Sequence, residues 1–303
     1  MRLFSHTFQA MGGLCALQVA APGAAEARHW CALAEQEVRR IETRYSRYRP
    51  DSVVARINAA AGAAWVVCDG ETRALLDFAD QLHGHSDGLF DITSGVLRRV
   101  WRFDAACPPT DEALAAVLPL IGWGQVLREG DRVRLAQPGM ELDFGGFGKE
   151  YAADRVADLW QAEGVAHGLV NLAGDVRLRG SRPDGQAWSL GVRHPRREGA
   201  LLATLALHDG ALATSGDYER FLEQGGQRHC HILHPRTGRS VTHWQSISVV
   251  APQAVMAGGL STIAMLKGPD ALRWLDAAGV DYLAVDASGR LHGSSAAAPS
   301  PCV

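Results

Sequence analysis

Residues 142–156 read LDFGGFGKEYAADRV, the pattern of a strand entering a glycine-rich turn and then a helix. Lys149 falls in the first turn of that helix, where the helix dipole favours negative charge. Two explanations stand side by side. In one, the turn's free N–H groups, approached closely because glycine has no side chain, cradle a phosphate that Lys149 also faces. In the other, the turn is a tight connection whose lysine points into water, with Glu150 offsetting its charge. The same stretch bears on the fold. Strand 140–144, helix 146–163 and strand 168–172 have the order of a dinucleotide-binding βαβ unit. The glycines, however, fall as GGxG rather than GxGxxG, and the β-rich remainder does not continue an alternating pattern. No GxxxxGK[ST] phosphate loop occurs. A nicotinamide-dependent oxidoreductase is therefore the weaker reading, and an α+β class the stronger.

Outward from this stretch, Ala27, Trp30, Leu33, Ala34, Val38 and Ile41 recur at helical spacing across residues 24–44. Further helices are predicted over 70–85, after Thr93 as far as Trp101, and after Thr110, a suitable N-cap ahead of two acids. Short strands fit 125–135. The helix after the glycine turn buries Ala152, Val156, Leu159 and Trp160. Strands follow over 167–208, near 230 and near 246, then two helices between 253 and 277 and a last strand, DYLAVD. The expected organisation is one domain over residues 1–293, with a helical part about 70–120 and a disordered tail, 294–303.

The composition narrows the function. The chain has 303 residues, 47% hydrophobic and 21% charged, with a net charge of −3. That charge gives no basic footprint for nucleic acid. Cys15, Cys31, Cys68, Cys107, Cys230 and Cys302 form no CxxC pair, so neither a zinc site nor a disulfide framework is indicated. No stretch predicts a transmembrane segment. The first residues alternate like a strand, not like a signal peptide. The expected location is cytoplasmic, or periplasmic if an export signal has been removed.

Several other stretches carry polar residues in turns: GLFDITSG (88–95) with Asp91, NLAGD with Gly174 and Asp175, ATSGDY with Thr214, Ser215 and Gly216, HCHILHPRTG from His229, and AGGLSTIAMLKG with Thr262. Singly, each has an ordinary explanation as a cap, a hairpin turn or a close-packed helix. In this order, with FQAMGG and SRYRPDSVVARIN before them, they resemble the FAD:protein FMN transferase (ApbE) family along nearly the whole chain.

The resemblance implies an α+β fold related to the tunnelling fold, with mixed sheets and packed helices. It also implies an activity: cleavage of the FAD pyrophosphate and attachment of FMN, through a phosphoester, to a Thr or Ser of an acceptor protein. On this reading Gly145 and Gly146 face the pyrophosphate with Lys149 as a fixed positive charge, and Asp154 contacts the AMP half. Met11, Gly12, Ser46, Tyr48, Asn58 and Asp91 wall the flavin site, with Gly174, Asp175 and the Thr214–Ser215–Gly216 loop alongside.

His231 is the implied acid–base group, since a histidine titrates near neutrality; His229 shares its face if both lie in a strand, and with His234 could form an adventitious metal site. Magnesium is implied too, bound by the Gly146 carbonyl and Thr262, but the family's usual aspartate position is Gly258. Magnesium ordinarily takes at least one carboxylate. Asp175 and Asp217 are the substitutes to consider, and an FAD carrier without catalysis or an FAD pyrophosphatase are the alternative functions. Glu150 and Gly13 depart from the family's usual glycine and threonine. A homodimer is left open.

Overall fold

The computed structural model describes residues 1–105 and 107–294; of the tail expected over 294–303, Ser294 is ordered, its N donating to Tyr282 O at 3.2 Å, and 295–303 lie outside the described residues. The chain opens with a hairpin, β1 (Arg2–Ala10) and β2 (Gly13–Ala21). Next comes α1 (Ala24–Tyr45), whose buried residues Ala27, Cys31, Ala34, Val38, Ile41 and Tyr45 form one apolar stripe. A short α2 (Val53–Ala59) follows, not anticipated from spacing; its start is fixed by Ser52 Oγ, which accepts from Ala55 N at 2.9 Å.

β3 (Val66–Val67), α3 (Gly70–His85), α4 (Asp111–Val117), β4 (Val126–Glu129) and β5 (Arg132–Leu135) make up the next part. Asp69 caps α3 and Thr110 caps α4 through their side chains. The helix expected after Thr93 is a 3₁₀ stretch, Ile92–Arg99. Asp91 caps it, and Gly95 lets it lie against Asp143, whose Cβ would be 2.8 Å from any Cβ at that position.

The second half contains α5 (Gly148–Ala162), β6 (Gly168–Leu172), β7 (Asp175–Arg179), β8 (Trp188–Arg193), β9 (Leu201–Leu207), β10 (Gly210–Gly216), β11 (Phe221–Gln224), β12 (Gln227–Cys230), β13 (Trp244–Ala251), α6 (Ala254–Lys267), α7 (Ala271–Ala278), β14 (Asp281–Asp286) and β15 (Leu291–Gly293). The last of these extends the sheet beyond the expected final strand.

The main sheet has eight strands in the order β1-β2-β6-β7-β10-β13-β14-β15. Every neighbouring pair in it is antiparallel. This overturns the βαβ reading, because that unit needs parallel strands joined by a crossover helix. Residues 140–144 are not a strand, and β5, the strand before α5, belongs to a separate three-stranded sheet.

α1, α5 and α6 cover one face of the main sheet, and their buried side chains join those of β2 and β6 in the largest apolar cluster. Ala152, Val156 and Trp160 of α5 are fully enclosed there, while Leu159 is half-buried. α6 approaches closely because its buried residues include Ala257, Gly258, Gly259 and Ser261. A Cβ on Gly259 would stand 2.8 Å from the Leu82 side chain. Among the described residues, no helix is long and apolar enough to cross a membrane.

Candidate active site

One end of the main sheet gathers most of the polar residues singled out above. Cys15 pairs with Leu172, so the β1–β2 turn stands beside the β6–β7 turn. Both turns have two residues at positive φ: Met11 (54°) and Gly12 (77°) in one, Ala173 (55°) and Gly174 (109°) in the other. This is the hairpin geometry that matches strand twist. Gly13 is explained here: a Cβ on it would lie 2.7 Å from the Ala173 Cβ, so glycine lets the turns touch. The C-terminal end of β10, with Thr214, Ser215 and Gly216, reaches the same edge.

The glycine turn is more occupied than its sequence suggests. Residues 140–144 are extended because Asn58 takes the place of a neighbouring strand. Its Nδ2 donates to Leu142 O at 3.0 Å, and its Oδ1 accepts from Leu142 N at 2.7 Å. Residues 145–147 then turn, so α5 starts at Gly148 rather than 146. Asp143 Oδ1 accepts from Gly145 N at 2.9 Å. Phe144 O accepts from Phe147 N at 3.1 Å and from Gly148 N at 2.7 Å. Three backbone donors of the expected phosphate cradle are thus engaged internally. Gly146 is needed for packing, since a Cβ there would stand 2.9 Å from the Phe90 ring.

Lys149 does not point into water. Its Nζ lies 2.6 Å from Asp175 Oδ2, and Asp175 is buried at the start of β7. Burial opposes the ammonium charge, but the Asp175 carboxylate outweighs it and holds the Lys149 pKa well above its ordinary value. The next residue, Glu150, is 6% exposed. Its Oε2 is buried without a hydrogen-bond partner. Burial, reinforced by the nearby Asp175 charge, raises the Glu150 carboxyl far above the usual carboxylate range.

One turn along α5, Asp154 is buried as well but fully engaged. Its Oδ1 and Oδ2 accept from Ala254 N and Val255 N, both at 2.9 Å, capping α6, and Arg177 Nε stands 3.1 Å away.

On α6, Thr262 Oγ1 lies 3.0 Å from Ser215 Oγ, which is also 2.8 Å from Ser261 Oγ. Thr214 Oγ1 pairs instead with Ser248 Oγ at 2.8 Å. Gly216 leaves room for the Tyr218 ring.

His231 lies just past β12, so it does not share a strand face with His229. His229 turns towards Trp101, with ring centroids 6.1 Å apart, and His231 N donates to Arg220 O at 2.9 Å. Solvent reaches His231, yet the protein around it, together with the Arg220 and Lys149 charges, lowers its pKa. A neutral imidazole at neutral pH follows, able to accept a proton. Among the described residues no three His, Cys, Asp or Glu side chains converge as a metal site, which removes the adventitious cluster with His234.

Tyr48 is 68% exposed, with the Arg47 guanidinium 5.0 Å from its ring centroid. Ser46 ends α1 and its Oγ accepts from Tyr48 N at 3.3 Å. Arg47 also bonds Asp143 Oδ2 at 2.6 Å, tying this aromatic rim to the glycine turn. Met11 N donates to Glu42 Oε1 at 2.6 Å.

Asp91 is set apart by its engagement: its oxygens accept from Thr93 N at 2.8 Å, Thr93 Oγ1 at 2.6 Å and Trp123 N at 3.0 Å. A concavity of about 420 Å³ beside it, lined by His83, Trp123 and Arg236, does not include Lys149 or His231.

Sequence reasoning passed over Arg47, Asp143, Arg193, Glu219 and Arg220. Arg193 pairs with Glu219 near Gly174, and Arg220 approaches Gly12 and Tyr48. Arg47 lies in the basic and aromatic run SRYR and Asp143 in the opening stretch LDFGGFG, where the lysine and glycines drew the reading instead.

A family model described as the ApbE family matches residues 11–284. The chain belongs to the ApbE family. It is similar to the FAD:protein FMN transferase of Treponema pallidum, 33% identical over 289 residues, covering 88% of this chain and 80% of that protein. The FAD:protein FMN transferase of Vibrio cholerae is 29% identical over 255 residues, covering 82% of this chain and 76% of its own length. Among solved structures, the ApbE protein of Thermotoga maritima superposes with a TM-score of 0.90 at 30% identity, covering 97% of each chain.

For an ApbE family member, the two aspartates considered as substitute metal ligands are poorly available. Asp175 is held by Lys149. Asp217 is held by Arg196 through two contacts of 2.6 Å, with Arg228 at 4.0 Å. Hard oxygen donors do remain near Gly258: the Ser215 and Thr262 hydroxyls and the unpartnered Glu150 oxygen.

Proposed function

We propose that this chain is an FAD:protein FMN transferase. The observation that carries the reading is the family match over residues 11–284, within which Lys149, His231, Ser215 and Thr262 stand around one end of the sheet. In the reaction, the hydroxyl oxygen of an acceptor Thr or Ser attacks the phosphorus on the FMN side of the FAD pyrophosphate. The new P–O bond forms as the bond to the bridging oxygen breaks, and its electron pair leaves with AMP. Such transfers depend on positioning and on neutralising charge more than on covalent help.

Lys149, kept charged by Asp175, supplies a fixed positive charge for the phosphates. His231, neutral at working pH, takes the proton from the acceptor hydroxyl. Magnesium, held through the Gly146 carbonyl and Thr262, would supply further charge neutralisation on the phosphate oxygens.

The test is chromatography of FAD incubated with the protein, an acceptor peptide bearing Thr or Ser, and Mg²⁺. AMP release and a flavinylated peptide are expected. His231→Ala is expected to lose about 10²–10⁴ in rate with FAD binding retained; normal turnover by that variant would remove His231 from this role. AMP with free FMN and no modified peptide would instead identify a pyrophosphatase.

A further inference from the structure

Glu150 and Gly258 occupy one space. A Cβ built on Gly258 would lie 2.5 Å from Glu150 Oε1, 2.6 Å from its Cγ and 2.8 Å from its Cδ. A side chain at 258 would therefore displace the Glu150 side chain from its present position. α5 and α6 run antiparallel here: Asp154 meets residues 254 and 255, while Glu150, one turn earlier, meets residue 258, one turn later. The resemblance implies a glycine at 150 and an aspartate at 258; this chain instead carries a single carboxylate at this spot, donated from the opposite helix.

We propose that Glu150 is the carboxylate ligand of the divalent cation, in place of the aspartate absent at 258; the proposal rests on the flavin transferase reading. Glu150 Oε2 is buried and without a hydrogen-bond partner, an oxygen left free for a ligand that would offset the cost of charging it there. Lys149, the adjacent cation, is turned to Asp175 instead. The other buried carboxylates of the region are committed: Asp175 to Lys149, Asp154 to the α6 N-terminus, Asp217 to Arg196. Around Gly258 the remaining groups are hard oxygen donors. Thr262 lies one turn further on the same face of α6, with Ser215 3.0 Å from it, and Ser261 Oγ donates to the Gly258 carbonyl at 3.0 Å. Oxygen-rich surroundings with one carboxylate suit a small hard cation that keeps water and substrate phosphates as further ligands.

The test uses Mn²⁺ as the probe, titrated by electron paramagnetic resonance into metal-stripped protein saturated with FAD, with flavin binding measured separately by fluorescence quenching without metal. Glu150→Gln is expected to weaken Mn²⁺ binding at least tenfold and to leave FAD binding within about twofold. Glu150→Gly combined with Gly258→Asp is expected to regain most of the affinity that Glu150→Gly alone loses. Thermal melts confirm that each variant is folded before its affinity is compared. Mn²⁺ binding by Glu150→Gln within twofold of the parent, or no gain from the double exchange, would overturn the proposal. Failure of the parent to bind FAD would instead overturn the flavin reading, so the two failures are distinct.

Discussion

Glu150 and Asp154 stand one helical turn apart on α5 and face the same partner, α6, yet their carboxylates are treated oppositely. Asp154 receives two backbone N–H groups and lies beside Arg177, the arrangement that makes a buried carboxylate tolerable. Glu150 has an oxygen with no partner, over a glycine where any side chain would push it aside. One carboxylate fastens two helices together; the other is held ready against them. The difference separates a residue kept for the fold from one kept for chemistry, although the sequence displays both as acids on a single helix.

Gly258→Asp in the otherwise native chain should break this arrangement most severely. Two carboxylates would compete for one buried space, and the metal-free protein should lose about 3 kcal/mol or more in urea unfolding. Unchanged stability would mean that Glu150 readily swings away. Asp154→Ala comes next, at about 2 kcal/mol, because it uncaps α6 and leaves Arg177 without its buried partner. An equal cost for Asp154→Ala and Glu150→Ala in metal-free buffer would erase the contrast between the two sites.

Glu150→Gln sharpens the comparison through pH. Burial raises the Glu150 pKa in the folded state, so between the ordinary carboxylate range and that raised value the native protein holds more proton than the unfolded chain. Metal-free stability should therefore fall as pH rises through this window, and Glu150→Gln should flatten the fall, leaving the variant about 1 kcal/mol more stable than the parent near pH 8. A parallel slope in parent and variant would assign the pH dependence elsewhere.

Two helices were legible at their starts because a side chain caps each: Asp69 stands before residues 70–85, and Thr110 before α4. The strand expected over 140–144 was not, since its extended backbone is satisfied by the Asn58 amide, a contact spanning 84 positions that no local pattern displays. The same holds at the site. Lys149 was visible as an oddly placed cation, but its Asp175 partner lies across the sheet end. The relation of Glu150 to Gly258 emerges only when two helices are placed side by side. Departures that looked unrelated along the chain, Gly13 beside Ala173 and Gly258 beside Glu150, are each one half of a packed pair.

Glu71 supplies the opposite sign, and the smallest expected effect. Its carboxylate accepts from Arg40 at 2.6 and 2.9 Å and from the Tyr151 hydroxyl at 2.8 Å, joining α1, α3 and α5 at their outer edge. The Arg40 hydrogen bonds, opposed by partial burial and helped by Tyr151, lower its pKa to about 2. A carboxylate lowered in the folded state contributes stability above its unfolded value, near 4.5, and loses it as pH falls towards 2. Because solvent screens this edge, the contribution should be under about 1 kcal/mol. Glu71→Gln should accordingly lower stability slightly at pH 6 and converge with the parent near pH 2, whereas Glu150→Gln should converge with the parent at acid pH and diverge from it as pH rises. Acid and alkaline unfolding series on the two variants measure both slopes, and slopes of the same sign would show that Glu150, like Glu71, is satisfied in the folded protein.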